Sequence, residues 1–186
     1  MIRNLRAIFV LRVLLCVATI AFARGGEATA AQASEPKTVA DFFLLVPERY
    51  MKYYDLRFRE ELLRGERRGA VVDIPNGYIS WDASDNPEEF EFAIFKKRDG
   101  RYIVAYSVGY NSEYDDPGSK LFLLSYEGGK WRDVTKSLLP APFDKRKTYK
   151  LPRQGRSIDV TDEWGEKFYT LTWRNDRFGI NRAGGK

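Results

Sequence analysis

The spacing of apolar positions along the chain changes twice, and each change predicts a different kind of element. The first segment is an apolar stretch from Val13 to Phe22, preceded by Arg3, Arg6 and Arg12. From Thr38 the spacing becomes helical: Val39, Phe42, Phe43 and Val46 line one face, and Met51, Tyr54, Phe58 and Leu62 follow at i, i+3, i+7 and i+11. Thr38 with Asp41 approximates a capping pair, Pro47 suits a first helical turn, and Asp55 can cap a second segment. The pattern predicts helix over most of residues 38–64, broken near Pro47 and again at Asp55 and ended by Gly65 and Gly69.

From Ala70 onward the period falls to two. Strands are predicted at Val71–Ile74, Gly77–Trp81, Glu89–Lys97, Arg101–Tyr110, Lys120–Glu127, Lys130–Val134, Thr148–Leu151, Ser157–Thr161, Lys167–Trp173 and Arg177–Ile180. Asn76-Gly77, Asp99-Gly100, Gly128-Gly129 and Asn175-Asp176 supply turns, and Ser137–Pro142 reads as a short helical turn with a crossing loop. Because no helix-length segment separates consecutive strands, the fold class is α+β, with an N-terminal helical segment packed on an antiparallel β-meander sheet.

One strand carries apolar groups on both faces. Tyr102, Val104, Tyr106, Val108 and Tyr110 share one side, and the smaller Ile103, Ala105, Ser107 and Gly109 share the other, where a helix can approach closely. The N-terminal helices alone cannot cover both sides. Either the later strands curl over the second face, or it lines a cleft.

The opening segment has the parts of a cleavable signal peptide: a basic start, a short apolar run, and small residues at Ala28-Thr29-Ala30 and Ala31-Gln32-Ala33. The alternative, a retained anchor, needs roughly 20 apolar residues, about twice the length of the run after Arg12. Cys16 follows Leu15 rather than the small residue that lipoprotein processing wants. The expected organisation is a signal peptide at 1–33, one domain at 34–181 and a frayed tail at 182–186, which places the mature protein in the periplasm or outside the cell. Membrane contact is then expected only through the signal peptide before cleavage.

Charge and composition narrow the function further. The whole chain carries +5, but removal of residues 1–33 takes four arginines and one glutamate and leaves a balance of +2. So small and interspersed a charge gives no footprint for nucleic acid. The chain has no histidine and a single cysteine, Cys16, within the predicted signal peptide. Histidine-based triads and zinc, copper or haem sites with histidine or cysteine ligands are therefore excluded from the mature domain. No cofactor motif is present.

The chain resembles a group of small exported bacterial proteins of uncharacterised function. The resemblance rests on Phe43-Leu44-Leu45-Val46-Pro47 with Tyr50, Asn76-Gly77-Tyr78-Ile79, Leu151-Pro152-Arg153-Gln154-Gly155, and Tyr169-Thr170-Leu171-Thr172-Trp173 with Phe178. It implies a fold and an exported location, and no activity or catalytic residue.

Two loops gather oxygen ligands. Asp82, Ser84, Asn86 and Glu88 alternate as in a calcium loop, but Pro87 stands where such a loop needs glycine and Ala93 where it needs glutamate. The loop from Asn111 to Gly118 holds Glu113, Asp115 and Asp116 directly after the tyrosine strand. Tyr106, Tyr110, Glu113, Asp115 and Asp116 are thus the candidate binding residues, in a non-enzymatic interaction domain of the bacterial envelope whose partner is a protein, peptide or glycan. Two alternatives remain: a carboxylate-dependent hydrolase acting on envelope glycans through the acidic loop, or a structural envelope component.

Overall fold

A capping box starts the first helix. Thr38 Oγ1 accepts the Asp41 N–H at 3.2 Å while the Asp41 carboxylate accepts the Thr38 N–H at 2.8 Å, which satisfies two otherwise orphaned donors of α1 (Val39–Leu45). The chain is seen here in a computed structural model that describes residues 35–82, 89–109, 118–162 and 164–181. Helix α1 ends at Val46, whose ψ of 128° is the extended conformation that a following proline imposes. The expected helix therefore does not run on through residues 47–54. That stretch is a series of turns closed by Tyr50 N–H to Pro47 O and Met51 N–H to Glu48 O, each 3.0 Å. Met51 and Tyr54 are buried all the same, because the turns deliver them to the face on which the helix would have placed them. Helix α2 (Leu56–Leu63) restarts at Asp55, whose carboxylate accepts the Phe58 N–H at 2.7 Å.

Arg59 of α2 is only 3% exposed and closes the end of α1. Its Nη1 donates to the carbonyls of Phe43 at 2.9 Å and Val46 at 2.7 Å, groups that the end of α1 would otherwise leave unpaired. Burial pushes the guanidinium pKa down, against the pull of Glu48 and Asp55.

Six strands follow in a meander: β1 (Ala70–Asp73), β2 (Tyr78–Trp81), β3 (Phe90–Lys96), β4 (Tyr102–Val108), β5 (Lys120–Glu127) and β6 (Lys130–Asp133), paired antiparallel in that order. Helix α3 (Thr135–Leu138) comes slightly earlier than expected, where the Asp133 carboxylate accepts the Thr135 N–H at 2.9 Å. A second meander, β7 (Thr148–Lys150), β8 (Ser157–Thr161), β9 (Lys167–Arg174) and β10 (Arg177–Asn181), forms a separate four-stranded antiparallel sheet. The fold is α+β, as the period changes predict.

The first sheet is buried on both faces, which answers the question its sequence poses. On one side Phe43 meets Phe92 edge-on, ring centroids 5.2 Å apart, and Val104, Tyr106 and Leu124 join the same layer beneath the helices. On the other side Phe95, Ile103, Ala105, Leu121 and Leu123 pack against Tyr149, Ile158, Val160, Leu171 and Trp173 of the second sheet. A sheet, and not the expected helix, therefore lies over the small residues of β4. The physical reason survives the correction: Ala105 and Ser107 let β7 come close enough for Ser107 Oγ to donate to the Tyr149 carbonyl at 2.6 Å. Two further bonds tie the sheets together, Trp173 Nε1–H to the Lys96 carbonyl at 3.0 Å and the Leu151 N–H to the Glu91 carboxylate at 2.5 Å.

Candidate binding surface at one end of the second sheet

The hairpin between β8 and β9 is organised by one side chain. The Asp162 carboxylate accepts the N–H of Trp164 at 3.0 Å and of Glu166 at 2.7 Å, and its own main chain closes the turn through Asp162 N–H to Glu166 O at 3.0 Å. Gly165 supplies the left-handed φ of 86° that this turn requires. The result is a well-bonded turn that holds an indole in solvent: Trp164 is 82% exposed. Large aromatic side chains held this far into water are uncommon, and Trp164 is the most exposed large hydrophobic side chain among the described residues.

Beside the turn the ladder slips. Val160 pairs with Tyr169 and Thr161 with Lys167, which leaves Phe168 as the extra residue of a β-bulge. A bulge re-aims the side chain at the irregularity. Phe168 is accordingly 52% exposed, whereas Leu171 and Trp173 farther along the strand are buried. Lys147, which precedes β7, places Nζ 5.0 Å from the Phe168 ring centroid and 5.3 Å from that of Tyr169, within cation–π range of both.

The loop that carries Lys147 is held from below, since the Ser119 N–H donates to the Lys145 carbonyl at 2.9 Å and Ser119 Oγ donates to the Lys147 carbonyl. Between this loop and the sheet lies an open depression of about 560 Å³, bordered by Ala141, Phe143, Asp144, Lys147, Tyr169 and Ile180. Phe143 stacks on Tyr149 with centroids 5.2 Å apart. Burial pushes the Tyr149 hydroxyl up to about 12, so it stays protonated at neutral pH, and it accepts the Asp144 N–H at 3.1 Å. The Arg146 guanidinium holds the Asp144 carboxyl below its ordinary value. The depression therefore combines aromatic walls, a lysine cation and a carboxylate already paired with its neighbours. It can stack flat apolar rings and attract negative charge. No nucleophile with an adjacent base stands among the described residues that border it.

The residues singled out from sequence are placed differently. Tyr106 is 3% exposed and sits between Phe90, Phe92 and Phe122 beneath the helices, so it belongs to the core and a surface ligand does not reach it. Tyr110, Glu113, Asp115 and Asp116 lie outside the described residues, as do Ser84, Asn86 and Glu88 of the calcium-like loop. The aromatic end of the second sheet is not among the sequence candidates. Its signals are nonetheless in the sequence: a tryptophan inside the polar turn Asp162-Glu163-Trp164-Gly165-Glu166, and the run Lys167-Phe168-Tyr169 that breaks strict alternation.

Glu91 is the other notable ionisable group. Its carboxylate sits between the sheets and accepts the Tyr78 hydroxyl at 2.9 Å as well as the Leu151 N–H. Burial raises its pKa, and the Leu151 and Tyr78 hydrogen bonds oppose that rise only in part. One oxygen is engaged within the first sheet by Tyr78 and the other reaches across to Leu151, which leaves neither free as a general acid or base. Among the described residues, no cluster of three or more candidate ligands is placed to hold a metal ion, and no helix is long and apolar enough to cross a membrane.

No family model matches the chain, and no curated protein matches it. Among solved structures it is similar to a domain of an uncharacterized protein from Porphyromonas gingivalis W83, with a TM-score of 0.53 and 12% identity over 77% of this chain and 97% of that one. At that identity the likeness concerns the fold alone.

Proposed function

We propose that the chain is an exported, non-enzymatic binding domain of the bacterial cell envelope, and that its ligand is a glycan seated on the aromatic end of the second sheet. The observation that carries this reading is Trp164, held 82% exposed by a turn that Asp162 bonds from within. Phe168 and Tyr169 follow it on β9 and flank the Lys147 cation, and Phe143 borders the same depression as Lys147 and Tyr169. Planar rings presented to solvent suit the apolar faces of sugars, and an ammonium group beside them suits carboxylated or phosphorylated units. The export expectation supports the same setting, because the basic start, apolar run and small-residue sites of residues 1–33 address the chain across a membrane.

The test is co-sedimentation of the domain from Ser34 onward with insoluble cell-wall glycan. Retention that Trp164→Ala abolishes without a change in melting temperature supports the reading, whereas no retention, or equal retention of the variant, overturns it. Export is checked by N-terminal mass spectrometry of the protein recovered from periplasm or medium. It should begin near Ala31 or Ser34, and an intact Met1 in that fraction removes the envelope from the proposal.

A further inference from the structure

At the other end of β9 two arginines face each other. The turn between β9 and β10 is made of Asn175 and Asp176, both at left-handed φ (52° and 62°), the conformation of the two-residue hairpin turns that match strand twist. That turn fixes the register and sets Arg174 directly opposite Arg177. Since Trp173 and Phe178 are buried against the first sheet, alternation puts both arginines on the outer face. Like charges directly opposite one another on a sheet oppose the pairing. Asp176, the nearest carboxylate in sequence, does not neutralise them. It is turned toward the first sheet, where it accepts the Arg98 N–H at 2.9 Å and stands 3.6 Å from Arg98 Nε. Among the described residues neither Arg174 nor Arg177 has an ion pair or a side-chain hydrogen bond.

The next pair along the same face is Thr172 opposite Gly179. Gly179 has no side chain, and a Cβ placed there would meet nothing within 4 Å, so the arginine pair borders a hollow. That hollow is a depression of about 400 Å³ reaching from Arg174 and Arg177 past Thr172 and Gly179 to Asn181. Two guanidinium forks at one edge, a hydroxyl beside them and bare backbone between form a receptor for an oxyanion borne on something larger than itself.

We propose that Arg174 and Arg177 form a phosphate subsite that takes a sugar-borne phosphate, the phosphate lying between the two guanidinium groups and the sugar over Gly179 beside the Thr172 hydroxyl. Phe168 stands six residues away on β9, about 20 Å at the rise of a strand. Ile180 borders both depressions, so the two surfaces adjoin, but Trp164 and Phe168 border neither the arginines nor the hollow beside them, and Trp164→Ala leaves the subsite intact.

The experiment follows the arginine side-chain Nε–Hε resonances and the melting temperature while inorganic phosphate, glucose 6-phosphate or chloride is added at matched ionic strength. Saturable shifts of Arg174 and Arg177 with both phosphates, at lower concentration for glucose 6-phosphate, are expected. Arg174→Gln and Arg177→Gln should each weaken the response roughly tenfold or more, and each should melt higher than the parent in low-salt chloride because the repulsion is relieved. Three results would overturn the proposal: shifts that chloride reproduces, a response that survives both substitutions, or no advantage of the sugar phosphate over the free ion. The Trp164→Ala protein serves as control. A lost cell-wall interaction with an intact phosphate response, or the converse, shows which of the two readings has failed.

Discussion

The Glu91 carboxylate of the first sheet accepts the main-chain N–H of Leu151 in the second at 2.5 Å, so a titratable group joins the two layers. Its surroundings are Tyr78, which donates to it, Lys150, whose charge favours ionisation, and Glu89, whose charge opposes it. Burial is the largest influence, and it raises the pKa of the folded state above the unfolded value of 4.5. The folded state therefore holds this proton more tightly than the unfolded chain does. The stability it contributes is fully present below pH 4.5 and declines as pH rises through the folded value. Glu91→Gln removes the titration. The melting temperature of that variant, measured relative to the parent, should climb as pH is raised from 4.5 to neutrality, and a pH-independent difference would contradict the assignment.

Tyr106 and Trp164 are predicted to behave in opposite ways. Tyr106→Ala empties a site enclosed by Phe90, Phe92 and Phe122 and should cost roughly 3 to 5 kcal/mol of stability in chemical denaturation. Trp164→Ala removes a side chain that is mostly in solvent and should lie within about 0.5 kcal/mol of the parent. In the cell-wall assay the order reverses, since truncating an anchoring aromatic typically costs over 2 kcal/mol of binding.

Arg59 is predicted to matter through its donors. Arg59→Met keeps much of the apolar stem but leaves the buried carbonyls of Phe43 and Val46 without a partner, at about 1 to 3 kcal/mol for each group left unsatisfied. Arg59→Lys restores one donor group without the planar fork and should recover part of that loss. Full recovery by lysine, or no loss with methionine, would show that the carbonyls find other donors.

Gly77 completes the turn between β1 and β2 at a φ of 70°, and a Cβ there would come within 2.7 Å of Ile94 Cγ1. Gly77→Ala combines an unfavourable backbone conformation with a clash against a neighbouring strand. It should cost about 1 kcal/mol or more in denaturant melts, while Gly100→Ala, which meets nothing within 4 Å, bears only the backbone part.

The strands are legible because a half-buried pleat writes its period directly into the sequence. Each strand runs within two residues of where alternation and the Asn-Gly, Asp-Gly and Gly-Gly turns put it. The helical expectation at 47–54 fails for a reason that periodicity cannot detect. Met51 and Tyr54 are apolar because they are buried, and turns bury them as well as a helix does; only the extended geometry of Val46 before Pro47 separates the two cases. The division into two sheets is not legible, since a meander reads the same whether its strands share one sheet or two. The candidate site escapes for a related reason. Tyr106 draws attention as part of an aromatic stripe, but a stripe in register with a strand is what packs under helices. Phe168 stands out only through the bulge that takes it out of register, and Trp164 only through its polar neighbours in a turn.

The order of the layers along the chain also bears on how the protein is made. The helices and the six strands of the first sheet are complete in sequence before Thr148, yet one face of that sheet is covered only by residues 148–181. A chain that folds in the order of its sequence thus finishes its larger sheet with Phe95, Ile103, Leu121 and Leu123 open to water. Such a face is adhesive toward other unfinished chains. A chain truncated after residue 147 should accordingly depend on chaperones and aggregate without them, and restoring residues 148–181 should end that dependence.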